Sequence, residues 1–504
     1  MQSLSFARFL SKIVALYLLA ACSLPLVADE RPAEGANANA DAEAKADSKP
    51  PLSDYELMKL FVETYQQVDR NYVRDVDRRE LVEAAIQGML QRLDQYSSYI
   101  PPAGVSRFNQ MVEQEFGGIG ITVNLRGGQL LVVSPLPGTP AYRGGIRAGD
   151  VITEVDGEPT EGVTLNEAVQ KLQGPIGRPV TVTVVQPGSE EEPRTIRLVR
   201  QLIKAPTVRG DRYLPDGSWS FQLEDHPDIG YVRLSHFSRY TSEELKAAVD
   251  VLLQKEIRGL ILDLRRNPGG LLESAVEIAD MFLDKGQIVS VKGRNVPEKS
   301  WEATAGNTFP QLPLAILVSR YSASASEVLS ACLQDNNRAV VIGERTWGKG
   351  SVQNVIQMED GDSALKLTTA TYHRPSGVNI HRFPDMRDSD EWGVTPNEGF
   401  RIRFSNKDWR AWDRYRSGRD VLKHEASTVP DAADEEAKAS GEEPQDEAVF
   451  VDRHILAAVD YINQQRPESK AATTATADSP NATSSAAETT STPDATESRD
   501  DATE

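Results

Sequence analysis

Cysteine is scarce in this sequence, which has only Cys22 and Cys332 among its 504 residues. Cys22 lies in the N-terminal export signal described below, so Cys332 is left without a partner. A disulfide framework of the kind that stabilises small secreted domains is therefore excluded. A chain of this length does not need one, because it can bury hydrophobic cores, and its length corresponds to about three ordinary domains.

Positive charge is also in short supply. Lysine and arginine together number 55, against 75 aspartate and glutamate residues, which gives a formal net charge of -20. Proteins that bind nucleic acid need a basic face, so this composition argues against nucleic acid as a partner. Much of the acidity lies in the C-terminal tail, where it reflects solvation of that segment and not the charge of a substrate.

The N-terminus lacks an apolar run long enough to span a bilayer. Residues 13–21 are apolar and follow basic residues, but about 20 residues would be needed to cross the membrane. This arrangement predicts a signal peptide over residues 1–22 and a location in the bacterial periplasm. The run ends in LAAC, which resembles the cleavage box of bacterial lipoproteins. We therefore expect Cys22 to be lipidated and to provide the only membrane contact; the alternative is an ordinary signal peptide cut near Ala28.

Composition and hydrophobic periodicity divide the next part of the chain into three segments. Residues 23–51 are rich in Ala, Glu, Asp, Lys and Pro, which predicts a flexible linker. Over residues 52–104, apolar residues recur at helical spacing and predict a pair of amphipathic helices, which usually serve packing or an oligomer contact. Residues 105–202 hold short strands rich in Val and Ile with one helix, which predicts a small β-barrel-like module.

Two strand-to-helix units follow within residues 203–424. In RGLILDLRRNPGGLLESAVEIADMFL and PLAILVSRYSASASEVLSACLQD, an apolar strand leads through a turn of small residues into a helix. Apolar strands that alternate with helices predict an α/β domain with a mainly parallel sheet buried on both faces. Residues 425–504 are an acidic tail with one predicted helix over residues 451–466, and we expect the remainder of this tail to be disordered.

The segment GERTWGKGSVQ nearly matches a phosphate-binding P-loop. Its glycines and Lys349 have the required spacing, but Gly350 stands where the P-loop needs a hydroxyl for magnesium. The P-loop also requires a helix after the lysine, because the phosphate binds at the N-terminus of that helix. Here SVQNVI follows, with the β-branched, roughly alternating pattern of a strand. Nucleotide binding is therefore disfavoured.

A lysine at the start of a strand suggests general-base chemistry instead. Gly348 and Gly350 flank Lys349 with bare backbone, so another segment can approach it closely. Burial lowers the pKa of a lysine from ~10.4 by as much as ~3–5 units, and a neutral amine can accept a proton. Residues four apart on a strand share a face, so we expect Gln353 to project beside Lys349.

The nucleophile for such a base can come from SASAS, residues 322–326. Ser324 and Glu327 form a capping-box pattern whose role can be limited to starting the helix. A serine at this position is also exposed at a helix N-terminus, where the next backbone N–H can stabilise an oxyanion. The turn of Gly269 and Gly270 offers a second N–H. From the residues alone, the other two serines of the segment remain candidates.

Other catalytic signatures are missing from the sequence. It contains no Gly-x-Ser-x-Gly elbow, no His-Glu-x-x-His zinc motif and no Cys-x-x-Cys pair. His373 and His381 are the only histidines near the candidate residues in sequence, and neither belongs to a triad pattern. We therefore expect no metal site and no other cofactor, and we expect both histidines to be either exposed or packed in the fold.

Three segments together resemble the carboxy-terminal processing (tail-specific) serine proteases: GLILDLRRNPGGLL, SASASEVLSACLQD and GERTWGKGSVQ, in this order and spacing. The resemblance implies a crotonase-like (ββα) protease core with a Ser-Lys dyad. FGGIGITV resembles the carboxylate-binding loop of a PDZ domain, and GTPAYRGGIRAGDVITEVDG resembles the stretch that follows it. The resemblance covers residues 55 to about 404 and implies that residues 105–202 are a PDZ domain inserted before the core.

The resemblance also implies roles for particular residues. Ser324 resembles the nucleophile, Lys349 the general base and Gln353 the residue that orients this base. The backbone N–H groups of Ala325 and Gly270 resemble the oxyanion hole, with Gly269 as the fallback if the turn is shifted by one residue. The PDZ carboxylate loop is implied for Gly118, Ile119, Gly120 and Ile121. Asp335 is better interpreted as a structural hydrogen-bonding residue.

The implied function is that of an exported endopeptidase that binds the C-terminal tails of protein or peptide substrates through its PDZ domain. The family also implies a homo-oligomer, an adaptor or activator protein, and a resting state in which the serine and the lysine are apart. Two other classes stay open: an inactive PDZ scaffold for C-terminal tails, and an esterase or amidase on the same core. The intact candidate dyad disfavours the first, and the PDZ module disfavours the second.

Overall fold

The computed structural model describes residues 52–188, 192–306, 309–422 and 450–465. The predicted signal peptide with Cys22, the linker over residues 23–51 and most of the acidic tail lie outside these residues. The chain divides into two compact units, residues 1–81 and 82–504. Within the described residues, no helix has both the length and the hydropathy needed to cross a bilayer.

The described residues form ten α-helices and twenty strands, numbered in chain order. The helices are α1 (Asp54–Asn71), α2 (Arg78–Gln91), α3 (Pro102–Glu113), α4 (Pro140–Arg143), α5 (Leu165–Leu172), α6 (Thr241–Leu253), α7 (Leu272–Asp280), α8 (Ala325–Asp335), α9 (Asn406–Arg419) and α10 (Arg453–Gln464). The strands before the core are β1 (Ser98–Ile100), β2 (Glu115–Gly118), β3 (Ile121–Arg126), β4 (Gln129–Pro135), β5 (Val151–Val155), β6 (Glu158–Pro159), β7 (Pro179–Val185), β8 (Arg194–Val199) and β9 (Gln201–Lys204). The strands of the core are β10 (Val208–Arg209), β11 (Arg212–Tyr213), β12 (Trp219–Ser220), β13 (Ile229–Leu234), β14 (Gly259–Asp263), β15 (Gln287–Lys292), β16 (Lys299–Glu302), β17 (Leu314–Val318), β18 (Val340–Gly343), β19 (Ser351–Met358) and β20 (Ser363–His373).

The first unit contains α1 and the start of α2, so the predicted helix pair is present. Ser53 and Glu56 form a reciprocal capping box that satisfies backbone groups at the start of α1. None of the residues of α1 is buried. Large apolar side chains of this helix, including Leu60 and Phe61, are about half exposed in consequence.

The PDZ module is an antiparallel sheet with the strand order β3-β4-β5-β7-β8, and β6 pairs with β5. Its core is formed by inward-facing strand residues such as Leu130, Ile152 and Val182, packed against Ala168 and Leu172 of α5. The chain enters this module through β2 and leaves it through β9, and these two strands pair with each other in antiparallel orientation. Strand β3 is an edge strand, paired only with β4 among the described residues.

The core sheet has the order β10-β13-β14-β17-β18, in which the last four strands are parallel. Alternate residues of β14 enter different clusters: Leu260 and Leu262 pack beneath α6, α7 and α8, whereas Ile261 packs against α10 on the other face. Burial of both faces explains the unbroken apolar strands in the sequence. The predicted α/β class, with a PDZ module and N-terminal helices, is confirmed.

Two segments outside residues 203–424 contribute to this domain. Strand β1, which precedes the PDZ module, pairs with β20 in a second sheet of order β1-β20-β15-β16, and β19 adds to β20. Helix α10 covers the core sheet with Ala458, Val459 and Ile462, so its apolar face is occupied within the same chain. A three-residue strand has no periodicity to detect, and the partner of an amphipathic helix cannot be read from its own sequence.

Candidate active site

Ser324 lies at the turn between β17 and α8, directly before the first helical residue. Its backbone has φ 56° and ψ −118°, a conformation that non-glycine residues rarely adopt. Strain of this kind persists where the surrounding structure fixes it, and it is frequent at functional sites. As a whole residue, Ser324 is 7% exposed, whereas Ser322 and Ser326 have no exposure.

The two neighbouring serines are used by the fold. Ser322 Oγ donates a hydrogen bond to the carbonyl of Leu264 at 2.8 Å and accepts one from the N–H of Ser319. Ser326 Oγ donates to the carbonyl of Asn267 at 3.0 Å. Both serines are fully buried, so their hydroxyls stabilise the turn and are not accessible to a substrate.

The glycine turn after β14 lies against this serine. A β-carbon at Gly269 would be 3.0 Å from the backbone nitrogen of Ala325, so the two turns are in contact. The N–H of Gly269 already donates to Asn267 Oδ1 at 2.8 Å. By contrast, the N–H groups of Gly270 and Ala325 have no acceptor among the described residues. A β-carbon at Gly270 would be 2.1 Å from the carbonyl oxygen of Phe237, so only glycine fits there.

Asn267 holds both turns together, and the sequence analysis did not identify it. Its Nδ2 donates to the carbonyl of Leu234 at 2.9 Å, while its Oδ1 accepts from Gly269. Its own carbonyl accepts the N–H of Ala323 at 3.1 Å and the hydroxyl of Ser326. An asparagine just before Pro-Gly-Gly at the end of a buried strand was the available signal, because Asn side chains bond to nearby backbone in turns.

Glu327 links the serine to the lysine. Its Oε2 accepts the backbone N–H groups of Ser324 and Lys349, both at 2.8 Å. Its Oε1 accepts the N–H of Gly348 at 2.6 Å and the hydroxyl of Thr346 at 2.5 Å. Burial raises the pKa of this carboxyl to about 7, although these four hydrogen bonds oppose the shift. The capping-box pattern predicted only the contact with Ser324.

Lys349 is half-buried in the loop directly before β19. Within the described residues, Nζ has no hydrogen bond or ion pair, and it is not bonded to Ser324 Oγ. The ring of Tyr96 lies 5.2 Å from it. Burial lowers the pKa of Lys349, and the charge of Lys366 acts in the same direction, while the charge of Glu327 opposes both. The expected downward shift is therefore present.

The amide of Gln353 makes its hydrogen bonds with residues of the strands next to the lysine. Its Nε2 donates to Ser351 Oγ at 2.8 Å and to Thr368 Oγ1 at 3.1 Å. Strand β19 begins only at Ser351, and its pairing with β20 shifts between Val352 and Gln353. A bulge of this kind interrupts the alternation of side chains. Lys349 and Gln353 are therefore not joined by a regular strand, and the place of Gln353 beside the lysine stays a prediction.

The C-terminal segment supports the glycine turn through a buried charge network. Arg265, two residues before Asn267 in the chain, pairs with Asp263 at 2.7 Å and with Asp452 at 2.9 Å. His454 Nδ1 lies 3.3 Å from Arg265 Nη1, and Nε2 donates to the carbonyl of Ile402 at 2.9 Å. Burial and the adjacent guanidinium lower the pKa of His454 to about 4. The histidine is therefore neutral near pH 7.

Other candidate residues have structural contacts. The carboxylate of Asp335 accepts hydrogen bonds from Arg374 and from the N–H of Ser376, in accord with a structural role. His373 Nε2 lies 3.2 Å from Oγ1 of Thr371 on the same strand, and the ring of His381 packs edge-on against Phe383 with the centroids 4.7 Å apart. No group of His, Cys, Asp and Glu residues suited to a metal ion occurs among the described residues.

The four predicted PDZ loop residues line one groove between β3 and α5. The other residues of this groove are Val123, Val169, Leu172 and Gln173. The N–H groups of Ile119 and Gly120 have no acceptor among the described residues, whereas their carbonyls accept hydrogen bonds from Ala141 and Leu136. Gly120 has φ 79°, and a β-carbon there would be 2.4 Å from Thr139. The groove thus offers free backbone donors beside an apolar wall.

A strained serine at a helix N-terminus, two N–H groups without an acceptor among the described residues and an attached PDZ module are the features expected of a serine peptidase. Three family descriptions match the chain: "Peptidase family S41" over residues 228–398, "PDZ domain" over residues 131–186, and "Activating protease CtpB N-terminal domain" over residues 22–102. The three matches follow the chain in the order of N-terminal region, PDZ module and core.

Individual relatives agree with these matches. The chain is 40% identical to a carboxy-terminal-processing protease of Bartonella bacilliformis, over 68% of this chain and 75% of the relative. It is 34% identical to the carboxy-terminal processing protease CtpB of Bacillus subtilis, over 68% of each. A solved photosystem II D1 C-terminal processing protease is 30% identical, with a TM-score of 0.39, over 70% of this chain and 94% of that one. The chain belongs to the carboxy-terminal processing proteases of peptidase family S41.

Proposed function

We propose that this protein is an exported endopeptidase in which Ser324 is the nucleophile and Lys349 the general base. The observation that carries this proposal is the difference between the three serines of residues 322–326. Two of them are fully buried and bonded to backbone carbonyls, while Ser324 retains exposure in a strained conformation. Evolved folds retain backbone strain mainly where a function depends on it.

In the proposed reaction, Ser324 Oγ attacks the carbonyl carbon of the scissile peptide and its proton passes to the neutral amine of Lys349. The lysine then gives this proton to the leaving amine, and an acyl-enzyme remains on the serine. Water attacks the acyl-enzyme and gives a proton to Lys349, which passes it to Ser324 Oγ as the ester bond breaks and the new carboxyl terminus leaves. Burial of Lys349 supports this role, because a lysine with a lowered pKa is neutral more often near pH 7.

The negative oxygen that forms in each step is assigned to the N–H groups of Gly270 and Ala325. Both donors lack another acceptor among the described residues. Gly269 is unsuitable as the donor, because its N–H is bonded to Asn267. Donors fixed in advance in this way commonly contribute a factor of about 10²–10³ to the rate. Gln353, through Ser351 and Thr368, positions the start of the strand that follows the lysine.

Ser324 and Lys349 are not hydrogen-bonded to each other, which supports a resting form that requires a rearrangement before reaction. We propose that the PDZ module triggers this step when it binds a substrate's C-terminal tail. The carboxylate would bind the free N–H groups of Ile119 and Gly120, and the tail would add as a strand beside β3. The apolar wall of Val169 and Leu172 favours tails with apolar side chains.

Location and assembly are further parts of the proposal. The N-terminal sequence supports export to the bacterial periplasm and a lipid anchor on Cys22. The exposed apolar side chains of α1 support a homo-oligomer contact through the N-terminal helices. An adaptor or activator protein is proposed from the family alone. An inactive scaffold remains the alternative function, because it would use the same PDZ groove.

The proposal is tested with protein that lacks residues 1–28 and an unfolded model substrate with an apolar C-terminus. Wild type is compared with Ser324→Ala and Lys349→Ala, and with Ser417→Ala and Lys407→Ala on the exposed face of α9 as matched controls. We expect cleavage by wild type and both controls, and none by the first two variants. If wild type and all variants bind the tail but none of them cleaves the substrate, the result would support the scaffold instead.

A further inference from the structure

Tyr96 lies over the candidate base, in the loop between α2 and β1. Its ring centroid is 5.2 Å from Lys349 Nζ. Its hydroxyl accepts hydrogen bonds from Gln95 Nε2 at 3.0 Å and from the indole N–H of Trp347 at 3.3 Å. Trp347 is two residues before the lysine in the chain. The tyrosine is therefore attached to the same loop that carries Lys349.

The loop that carries Tyr96 is held in place by its own polar residues. Asp94 Oδ1 accepts the N–H groups of Tyr96 and Ser97, both at 2.7 Å, and Oδ2 accepts the Ser97 hydroxyl at 3.0 Å. The Ser97 hydroxyl in turn accepts the N–H of Thr368 on β20 at 3.1 Å. Thr368 Oγ1 is the acceptor of the Gln353 amide. A continuous chain of hydrogen bonds thus joins this loop to the strands behind the lysine.

We propose that Tyr96 is a positioning residue that covers Lys349 and keeps water away from its amine. This inference rests on the proposed function, since it concerns the base of that reaction. It assigns a residue of the active site to a segment that precedes the PDZ module in the chain. That segment lies within residues 22–102, which match the N-terminal domain of an activating protease.

Two effects of the tyrosine oppose each other. Exclusion of water disfavours the ammonium form and lowers the pKa of a lysine. The negative face of the ring attracts the ammonium and acts in the other direction. Burial is the largest cause of the lowered pKa of Lys349, and the Tyr96 ring 5.2 Å from Nζ is part of its surroundings, so we expect the exclusion of water to outweigh the attraction of the ring. Removal of the ring is therefore expected to raise this pKa.

The other charged and titratable groups around the lysine have to stay constant in the test. Lys366 on β20 lowers the pKa of Lys349, and Glu327 on α8 raises it. Two further titratable residues contact Tyr96: the ring centroid of His381 is 6.4 Å from that of the tyrosine, and the carboxylate of Asp94 accepts the tyrosine's backbone N–H. These four residues are left unchanged in every variant, so that a shift is attributable to Tyr96.

The experiment measures the protonation of Lys349 directly. Protein lacking residues 1–28 is labelled with a trace of acetic anhydride at a series of pH values, and the rate at each lysine is read by peptide mass spectrometry. Only the neutral amine reacts, so the midpoint of the rate against pH is the pKa of that lysine. We expect Tyr96→Ala to move the Lys349 midpoint to higher pH, and Tyr96→Phe, which keeps the ring, to leave it in place. Lys407, exposed on α9, should be unchanged in both.

A Lys349 midpoint that is unchanged or lower in Tyr96→Ala would overturn the inference. If Tyr96→Ala does not fold, Tyr96→Gln, which places a polar amide over the lysine, is used with the same expected rise. The pH profile of cleavage gives a second readout. A rise of one unit in the pKa of Lys349 lowers kcat/KM by about tenfold at pH values below this pKa and leaves the alkaline plateau unchanged. A purely structural role would lower activity by the same factor at every pH.

The labelling needs no turnover, so it distinguishes this inference from the proposed function. A raised midpoint in Tyr96→Ala, combined with full cleavage by Lys349→Ala, would support the covering role and overturn the lysine as base. An unchanged midpoint in Tyr96→Ala, combined with complete loss of cleavage in Lys349→Ala, would support Lys349 as the base and overturn the covering role of Tyr96.

Discussion

Oε2 of Glu327 lies 2.8 Å from the backbone nitrogen of Lys349 and accepts its N–H. The same oxygen accepts the N–H of Ser324 at an equal distance, so one buried carboxyl connects both halves of the candidate dyad. The separation of the two segments in the fold is thereby fixed through the main chain.

Replacement of this carboxyl tests the connection. Glu327→Gln turns one acceptor oxygen into an NH₂ group, which then faces backbone donors that it cannot satisfy. An unsatisfied buried donor costs about 1–3 kcal/mol. We expect kcat/KM to fall by roughly tenfold or more, with a lower Tm, in a cleavage assay. Glu243→Gln, the same change at an exposed position of α6, serves as the control and should retain activity.

The charge network of the C-terminal segment predicts an acid-sensitive step. His454 has a pKa of about 4 in the folded protein, below its ordinary value of 6.5. The unfolded chain therefore binds more protons between these values, and the free energy of unfolding falls as the pH decreases from about 6.5 to 4. The loss amounts to about 3 kcal/mol when complete.

His454→Gln removes this titration and should flatten the dependence of unfolding on pH in that range. Glu327 acts in the opposite direction, because its pKa of about 7 lies above the usual 4.5 and stability falls as the pH rises between them. Denaturant unfolding of wild type and variant at each pH isolates the histidine, since Glu327 is common to both. Parallel curves for the two proteins would contradict the assignment.

The glycine turn is predicted to tolerate no side chain. In Gly270→Ala, the new β-carbon would be 2.1 Å from the Phe237 carbonyl oxygen, so the turn has to move and its N–H with it. We expect kcat to fall by about 10²-fold or more, since oxyanion donors act only when correctly placed. Gly306→Ala has a similarly unusual φ of 126° with open space around it, so it controls for strain alone and should remain active.

The PDZ groove is predicted to act through a free substrate carboxylate. Gly120→Ala brings a β-carbon to 2.4 Å from Thr139 and distorts the loop. We expect KM to rise about tenfold or more for a substrate with a free C-terminus, and no change for the same substrate with an amidated C-terminus. Gly128→Ala is the matched control, because Gly128 has the same φ of 79° with no atom within 4 Å. Equal effects of both variants would contradict carboxylate recognition.

Local patterns in the sequence predicted the elements and the approximate position of the site. The apolar run of β14 and the strand after Lys349 were visible, because burial and β-propensity act along the chain. Discrimination among the three serines depended on long-range contacts, such as that between Ser322 and Leu264. The direction of Gln353 depended on a bulge in strand pairing, which leaves no mark in hydrophobic periodicity.

The residues that sequence reasoning missed act across large distances in the chain. Glu327 reaches Lys349 over 22 positions, and Tyr96 is separated from the lysine by the whole PDZ module. Asp452 reaches Arg265 from the C-terminal segment. Contacts of this kind are set by tertiary packing, so neither spacing nor residue type reveals them in a single sequence.

The most direct test of the Ser-Lys account is covalent trapping of the nucleophile. Protein lacking residues 1–28 is incubated with a fluorophosphonate that reacts with activated serines, and the modified residue is located by peptide mass spectrometry. The account predicts modification of Ser324 in wild type and about 10²-fold slower modification in Lys349→Ala, since a positioned base commonly contributes at least that factor. Modification of Ser322 or Ser326, or an unchanged rate in Lys349→Ala, would contradict it.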